Sequence, residues 1–210
     1  MAQDIARVSN AGRGLTNGAD SLLWVDGSGA LVVMDFLTKA ILDGHGYQVR
    51  LGVLTTPVVG DVEITTVAAE MAANSAAGLV IMPCHFTFDM EAITGTLVQA
   101  TVKMQALAAT GGTAFTPLPL LTGGRAASTT ALANDAGGVA VEDDAAATTR
   151  VLYMSHQAAM GNFDVNIDLL GKGIVNGLGA VYSAVGTVTT GSSYFSELSY
   201  LEYTTGALGL

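Results

Sequence analysis

The sequence contains a single cysteine, Cys84, so no disulfide bond can form within one chain. Basic residues are also scarce: eight Lys and Arg stand against eighteen Asp and Glu, scattered singly between Arg7 and Lys172. Without a basic stripe, the chain has nothing with which to neutralise a row of phosphates. Direct binding to nucleic acid or to an anionic membrane surface is therefore not expected.

Several sequence signals are missing as well. The N-terminus has no apolar run after a basic start, so it does not read as a secretory signal. Two uncharged runs, 104–124 and 173–196, are interrupted by Gly, Thr and Ser, and we expect no integral membrane span. The sequence holds no G-x-S-x-G, Walker A, H-E-x-x-H or paired-cysteine motif, and it has only three histidines. We therefore expect a protein that is not an enzyme and that needs no cofactor.

What the sequence does contain is a two-residue alternation of apolar and polar side chains, which is typical of β-strands. In "PCHFTFDM" the apolar set is Cys84, Phe86, Phe88 and Met90, and the polar set is His85, Thr87 and Asp89. We predict one long strand from about 79 to 90, with Pro83 at a bulge or on an edge, because proline cannot donate to a ladder. The strand that follows, from about 95, is predicted to pair with it as a hairpin.

Further strands are predicted along the chain. "YQVRLGVL" and "FDVNIDLL" alternate in the same way, with Asp164, Asn166 and Asp168 on the polar face of the second. "TRVLYMS" and "SYFSELSYLEY" carry large side chains on both faces, which indicates strands covered on both sides by the fold or by a neighbouring copy. The run 122–149 is rich in small residues and is interpreted as a surface excursion.

The best helix candidate is "LVVMDFLTKAILDG", in which apolar residues recur at helical spacing and Gly44 follows as a stop signal. We therefore divide the chain into an N-terminal arm and helix, 1–45, and a β-sandwich, 46–210, within a single domain. The predicted fold class is all-β, with one short N-terminal helix.

Metal binding is possible at two places but is not demanded by the spacing. His85 and Asp89 lie roughly 13 Å apart along an extended strand, so one ion cannot bridge them, although His45 or His156 could complete a site with either residue. "DVNID" matches the start of an EF-hand loop, but Leu169 and Val175 stand where that loop needs its glycine and its last carboxylate. A Ca²⁺ ion shared by Asp164 or Asp168 with another loop or subunit remains an open alternative to plain solvated polarity.

The stretches "GYQVRLGVLTTPVVGDVEITTVAAEM" and "GLVIMPCHFTFDMEAITGT" resemble the jelly-roll coat and head proteins of viruses and phages. The resemblance is one of pattern and composition over roughly residues 46–106, with weaker support from 163–205. It implies a jelly-roll β-sandwich, a location in the virion, and a capsid or head decoration subunit. Its partners would be copies of itself, as a trimer or pentamer, and other virion proteins.

The closing segment supplies the side chains expected to anchor the core and such contacts, because aromatic residues dominate protein interfaces. They are Phe195, Leu198, Tyr200, Leu201 and Tyr203. The alternative function is a β-sandwich module that binds carbohydrate or a host surface. Such a site needs exposed aromatic side chains, and the presence of only one tryptophan, Trp24, makes this alternative weaker.

Overall fold

The computed structural model describes residues 35–52, 58–59, 67–92, 97–133, 138–143, 145–158, 164–187 and 193–209. Two helices, α1 (Phe36–Leu42) and α2 (Thr205–Leu208), lie at the two ends of this part of the chain. The remaining elements are strands. They are β1 (Gly46–Leu51), β2 (Val58–Val59), β3 (Ala68–Ala69), β4 (Met71–Asn74), β5 (Leu79–Ala92), β6 (Leu97–Gln105), β7 (Thr110–Gly111), β8 (Thr113–Phe115), β9 (Leu118–Pro119), β10 (Thr130–Ala133), β11 (Val139–Ala140), β12 (Arg150–Ala158), β13 (Asp164–Asp168), β14 (Val175–Asn176), β15 (Ala180–Thr187) and β16 (Ser193–Thr204).

The strands form two large antiparallel sheets and one small one. The first large sheet has the order β13-β5-β16-β1-β9, with β14 added to β5 and β2 added to β16. The second has the order β12-β6-β15-β4-β10-β8, and the small sheet has the order β3-β11-β7. The prediction of an all-β sandwich with a short helix is confirmed. Jelly-roll connectivity is not established by this strand order and stays a prediction.

The main core lies between the two large sheets and is built from the inward side chains of both. Alternation produces it: every second residue of β1, β5, β6, β15 and β16 points inward, as the pleat requires. Its largest fully buried members are aromatic, because such rings fill the most space between two layers. They include Tyr47, Phe86, Phe88, Tyr194 and Tyr200.

Both outer faces are also partly covered. The small sheet lies over the second large sheet, where Tyr182, Leu132 and Val139 belong to a second apolar cluster. The Asn74 side chain ties the two layers by donating to the carbonyl of Ala109 at 2.8 Å and accepting from its N–H at 2.9 Å. On the first large sheet the cover is α1, as the third cluster of apolar side chains shows.

Helix α1 begins later than predicted, because Asp35 is extended and caps it, and it ends before Gly44 as predicted. The carboxylate of Asp35 caps it by accepting the Thr38 backbone N–H at 2.9 Å, which satisfies one of the free donors of the first turn. It ends at Leu42, and Gly44 follows with φ of 79°, a left-handed conformation that glycine adopts without strain. The part of the predicted helix before Asp35 lies outside the described residues.

Pro83 lies at a β-bulge, as predicted. The register of β5 against β16 shifts where Ser199 faces His85 and Tyr200 faces Pro83, which leaves Cys84 as the extra residue. One predicted face is wrong as a result: Cys84 does not share the inner surface with Phe86 but packs outside it, beneath α1. The extra residue rotates the backbone, and alternation restarts after it.

Two other predictions are wrong. The strands β5 and β6 do not form a hairpin, because they belong to opposite sheets and bury their apolar faces against each other across the core. The run 122–149 is not merely a surface excursion, since β10 lies between β4 and β8 in the second large sheet and β11 lies in the centre of the small one. In the described ranges, no helix has the length and apolar character needed to cross a membrane.

Candidate functional site

The polar residues of "PCHFTFDM" lie on the outer face of the first large sheet, beside the edge strand β13. His85 is opposite Asp168 in the ladder, and its Nε2 donates to the Asn166 side-chain oxygen at 2.6 Å. Further across the same face, Arg50 and Glu197 form a half-exposed ion pair at 3.5 Å.

Asp89 and Asp164 are direct partners in the ladder between β5 and β13, so two carboxyl groups share one spot on this face. Burial raises the pKa of Asp89, and the negative charge and hydrogen bond of Asp164 raise it further. The two candidate calcium ligands are not brought together, because Asp164 faces Asp89 whereas Asp168 faces His85. The described residues contain no group of three His, Cys, Asp or Glu side chains able to hold a metal ion.

The remaining histidines have separate environments. His45 stacks on Tyr203 with ring centroids 4.2 Å apart, and its Nδ1 donates to the carbonyl oxygen of Glu202 at 2.9 Å. His156 lies on β12 in the other large sheet, opposite Gln99. Neither completes a site with His85 in the part of the chain that the structure describes.

The predicted anchors of the closing segment divide into two groups. Leu198 and Tyr200 are fully buried in the main core, and Leu201 is fully buried beneath α1. Phe195 and Tyr203 are half-buried on the outer face. Leu198, Tyr200 and Leu201 thus anchor the core. Phe195 and Tyr203 are the two predicted anchors that remain accessible to another copy.

Glu202 is a buried charged residue that the sequence analysis did not single out. Its side chain is fully buried and accepts the backbone N–H of Ser128 at 3.0 and 3.1 Å and that of Thr129 at 2.8 Å. The half-exposed Arg125 guanidinium lies 3.6 Å away. These contacts fix the loop before β10 to the end of β16. The available signal was the alternation of β16, which places this acid on the same face as Tyr200.

Glu202 belongs to a polar cluster at one end of the core. Thr129 and Tyr200 share a hydrogen bond between their hydroxyl groups, and burial raises the pKa of Tyr200 well above its ordinary range. Tyr47 donates its hydroxyl to the carbonyl of Gly44 at 3.1 Å. The donors around Glu202 come from the protein itself, so the cluster braces the loop.

The open side of the sandwich is the second surface of interest. Strand β12 ends the second large sheet and β13 ends the first, and among the described strands neither has a partner on its outward edge. The turn between β13 and β14 packs tightly on the second sheet, because a side chain at Gly173 would meet Met104 at 2.7 Å. The two free edges therefore lie next to each other on one side of the molecule.

Apolar side chains are exposed along this side. Val151 and Met154 of β12 have 51% and 61% of their surface exposed, and Ile174 beside β14 has 49%. A cleft of about 300 Å³ opens there, lined by Ile174, Met104 and Arg150 among others. A free strand edge with exposed apolar side chains is the arrangement that pairs with another chain unless charge or cover prevents it.

Comparison of this chain with protein-family models, with curated proteins and with solved structures gives no match.

Proposed function

We propose that this chain is a non-catalytic structural protein that assembles with copies of itself, and that its place is the virion, as a capsid or head decoration subunit. The observation that carries self-assembly is the open side of the sandwich, where two strand edges without a partner among the described strands lie together with exposed Val151, Met154 and Ile174. Burying these groups against a second copy would satisfy the free backbone groups and remove apolar surface from water.

The virion assignment is supported by the resemblance of residues 46–106 to jelly-roll coat and head proteins, and by an all-β sandwich with few charges. The chain carries 12% charged residues, and low charge suits extended contacts between identical surfaces. Trimers or pentamers, joined to one another and to other virion proteins, are the expected assemblies.

Mass photometry and sedimentation of the purified chain test self-assembly directly, and electron microscopy tests its form. Rings, sheets or closed shells are the expected particles. Met154→Glu should weaken association by about tenfold or more, because it places a charge on the apolar edge. Leu42→Glu on α1 is the matched control, since Leu42 is similarly exposed but lies away from that edge. A monodisperse monomer at millimolar concentration and at every salt concentration would exclude this function.

A second candidate, a carbohydrate- or host-surface-binding module, is favoured by the polar outer face of the first large sheet. There Arg50 and Glu197 are ladder partners, Gln48 lies on the same face, and the half-buried Phe195 is two residues before Glu197 on β16. Ring, charge and amide groups of this kind bind sugars. In the amide orientation that satisfies all three groups, Gln48 bonds both Arg50 and Glu197. Glycan-array binding by the monomer, lost in Arg50→Ala, would support this candidate over the first.

A further inference from the structure

We infer that two copies of this chain join along their open sides with β12 of each pairing antiparallel with β13 of the other, so that each large sheet continues into the opposite sheet of the partner. The inference rests on the proposed self-assembly and specifies its contact. It follows from the direction of the two edge strands and from the charges that each carries.

The strand directions come from the ladders and connections. Only four residues separate β5 from β6, and so short a link can join strands of facing sheets only at the same end of the sandwich. Strands β5 and β6 therefore run in opposite directions. Strand β12 is antiparallel to β6, and β13 is antiparallel to β5. The two edge strands therefore run in opposite directions on the same side of the sandwich.

Two kinds of two-fold contact can join such sides. A two-fold axis perpendicular to the sheets pairs β12 with β12 and β13 with β13 of the partner. A two-fold axis parallel to the strands pairs each β12 with the partner's β13 instead. Both pairings are antiparallel and leave no unpaired edge on this side, so backbone geometry alone does not choose between them.

Charge makes the choice. Strand β13 presents Asp164 and Asp168 on its exposed face, with Asp89 beside them, and contains no basic residue. Strand β12 contains no acidic residue and carries Arg150 and His156. Pairing β13 with itself would set these carboxylates against one another in a chain whose net charge is already −10, and like charges directly opposite each other destabilise a ladder. Pairing β12 with β13 sets each acidic edge against an acid-free one.

The same axis sets the approximate register. A rotation about an axis parallel to the strands moves nothing along them, so residues at equal heights on β12 and β13 become neighbours. Only five residues separate the end of β12 from the start of β13, so we place their facing ends at similar heights. This brings His156 opposite Asn166 of the second copy, and Met154 opposite Asp168. All four side chains are exposed, so cysteines there should not disturb the core.

Disulfide trapping tests the pairing, because a bond forms only when two Cα atoms come within about 7 Å. The native Cys84 is buried and serves as the internal background. His156→Cys combined with Asn166→Cys, and Met154→Cys combined with Asp168→Cys, should give covalent dimers on mild oxidation. Each of the four single variants should stay at the background of the unmodified chain.

The outcomes separate this inference from the proposed function. Assemblies in which His156→Cys or Met154→Cys alone forms disulfide dimers would show that β12 pairs with β12, and the inference would be wrong while self-assembly stands. Assemblies with no trapped dimer in either double variant would place the contact elsewhere. The inference would again be wrong while self-assembly stands. A chain that stays monomeric throughout would refute both.

Discussion

Replacing Glu202 with alanine should destabilise this protein far more than the same change at the half-exposed Glu197. The side chain of Glu202 is fully buried, and its two oxygens accept the backbone N–H groups of Ser128 and Thr129. Alanine removes the acceptor and leaves the N–H of the buried Thr129 inside the protein, whereas Ser128 is an exposed residue. Unsatisfied buried donors are among the costliest defects a substitution can create.

The size of the effect follows from these contacts. A hydrogen bond to a charged group contributes about 1.5–3 kcal/mol, so leaving the buried Thr129 donor without its partner should cost at least about that much. A domain is stable by only about 5–15 kcal/mol in total. For a chain of this length each kcal/mol lowers the melting temperature by about 2–4 °C, so Glu202→Ala should melt at least about 3 °C lower. Glu202→Gln keeps one acceptor oxygen and should lose less.

Urea and thermal unfolding, followed by circular dichroism at matched protein concentration, measure this directly. The control is Glu197→Ala, which removes a half-exposed ion pair with Arg50 and should cost at most about 1 kcal/mol. Amide exchange supplies a local readout, because the N–H groups of Ser128 and Thr129 should lose protection in Glu202→Ala. A variant within about 1 kcal/mol of the unmodified chain, with both amides still protected, would refute the account of Glu202 as a brace.

Three further predictions concern pH, reactivity and packing. Because the pKa of Asp89 is raised above its ordinary value near 3.8, the folded chain holds this proton more tightly than the unfolded chain does, and this contribution to stability should decline as pH rises through the raised pKa. In Asp164→Asn the free energy of unfolding, measured by urea titration between about pH 4 and 7, should fall less with rising pH than in the unmodified chain. An unchanged pH dependence would contradict the interaction between Asp89 and Asp164. Burial raises the pKa of the Cys84 thiol to about 12, so the native chain should react with a disulfide reagent at about pH 8 only as fast as it opens; immediate reaction would contradict this. Phe86→Ala should cost about 3–5 kcal/mol and exposed Phe36→Ala about 0.5 or less, and equal losses by denaturant titration would count against the assigned core.

Alternation predicted the faces of the strands better than it predicted their partners. Val165 and Leu169 are buried while Asp164 and Asn166 are exposed, as the sequence of β13 indicates. The same pattern says nothing about which sheet a strand joins, because a side chain that points into a sandwich core is equally well buried from either layer. The false hairpin between β5 and β6 follows from that ambiguity.

Two features escaped sequence reading for a different reason. Strand β10 lies in a run of small residues with weak strand propensity, and it is stabilised by its position between β4 and β8 rather than by its own side chains. The alternation of β16 places Glu202 on the same face as Tyr200, but it does not show which loop donates to the carboxylate. In both cases the decisive partner is far away in the sequence, so no local pattern contains it.

The evidence for assembly comes from the edges of the large sheets and not from the large side chains on their faces. Large side chains on both faces of β16 predict cover by the fold or by a neighbouring copy, and here the fold supplies it, because Leu201 is buried under α1 and Leu198 in the main core. Strand β12 keeps this signal more strongly than β16, because Val151 and Met154 stay exposed on a strand whose outer edge has no partner among the described strands. Self-association is therefore to be sought at the open side of the sandwich, where apolar surface and unpaired backbone coincide, and the acidic β13 beside it supplies the charge that decides how two such sides can meet.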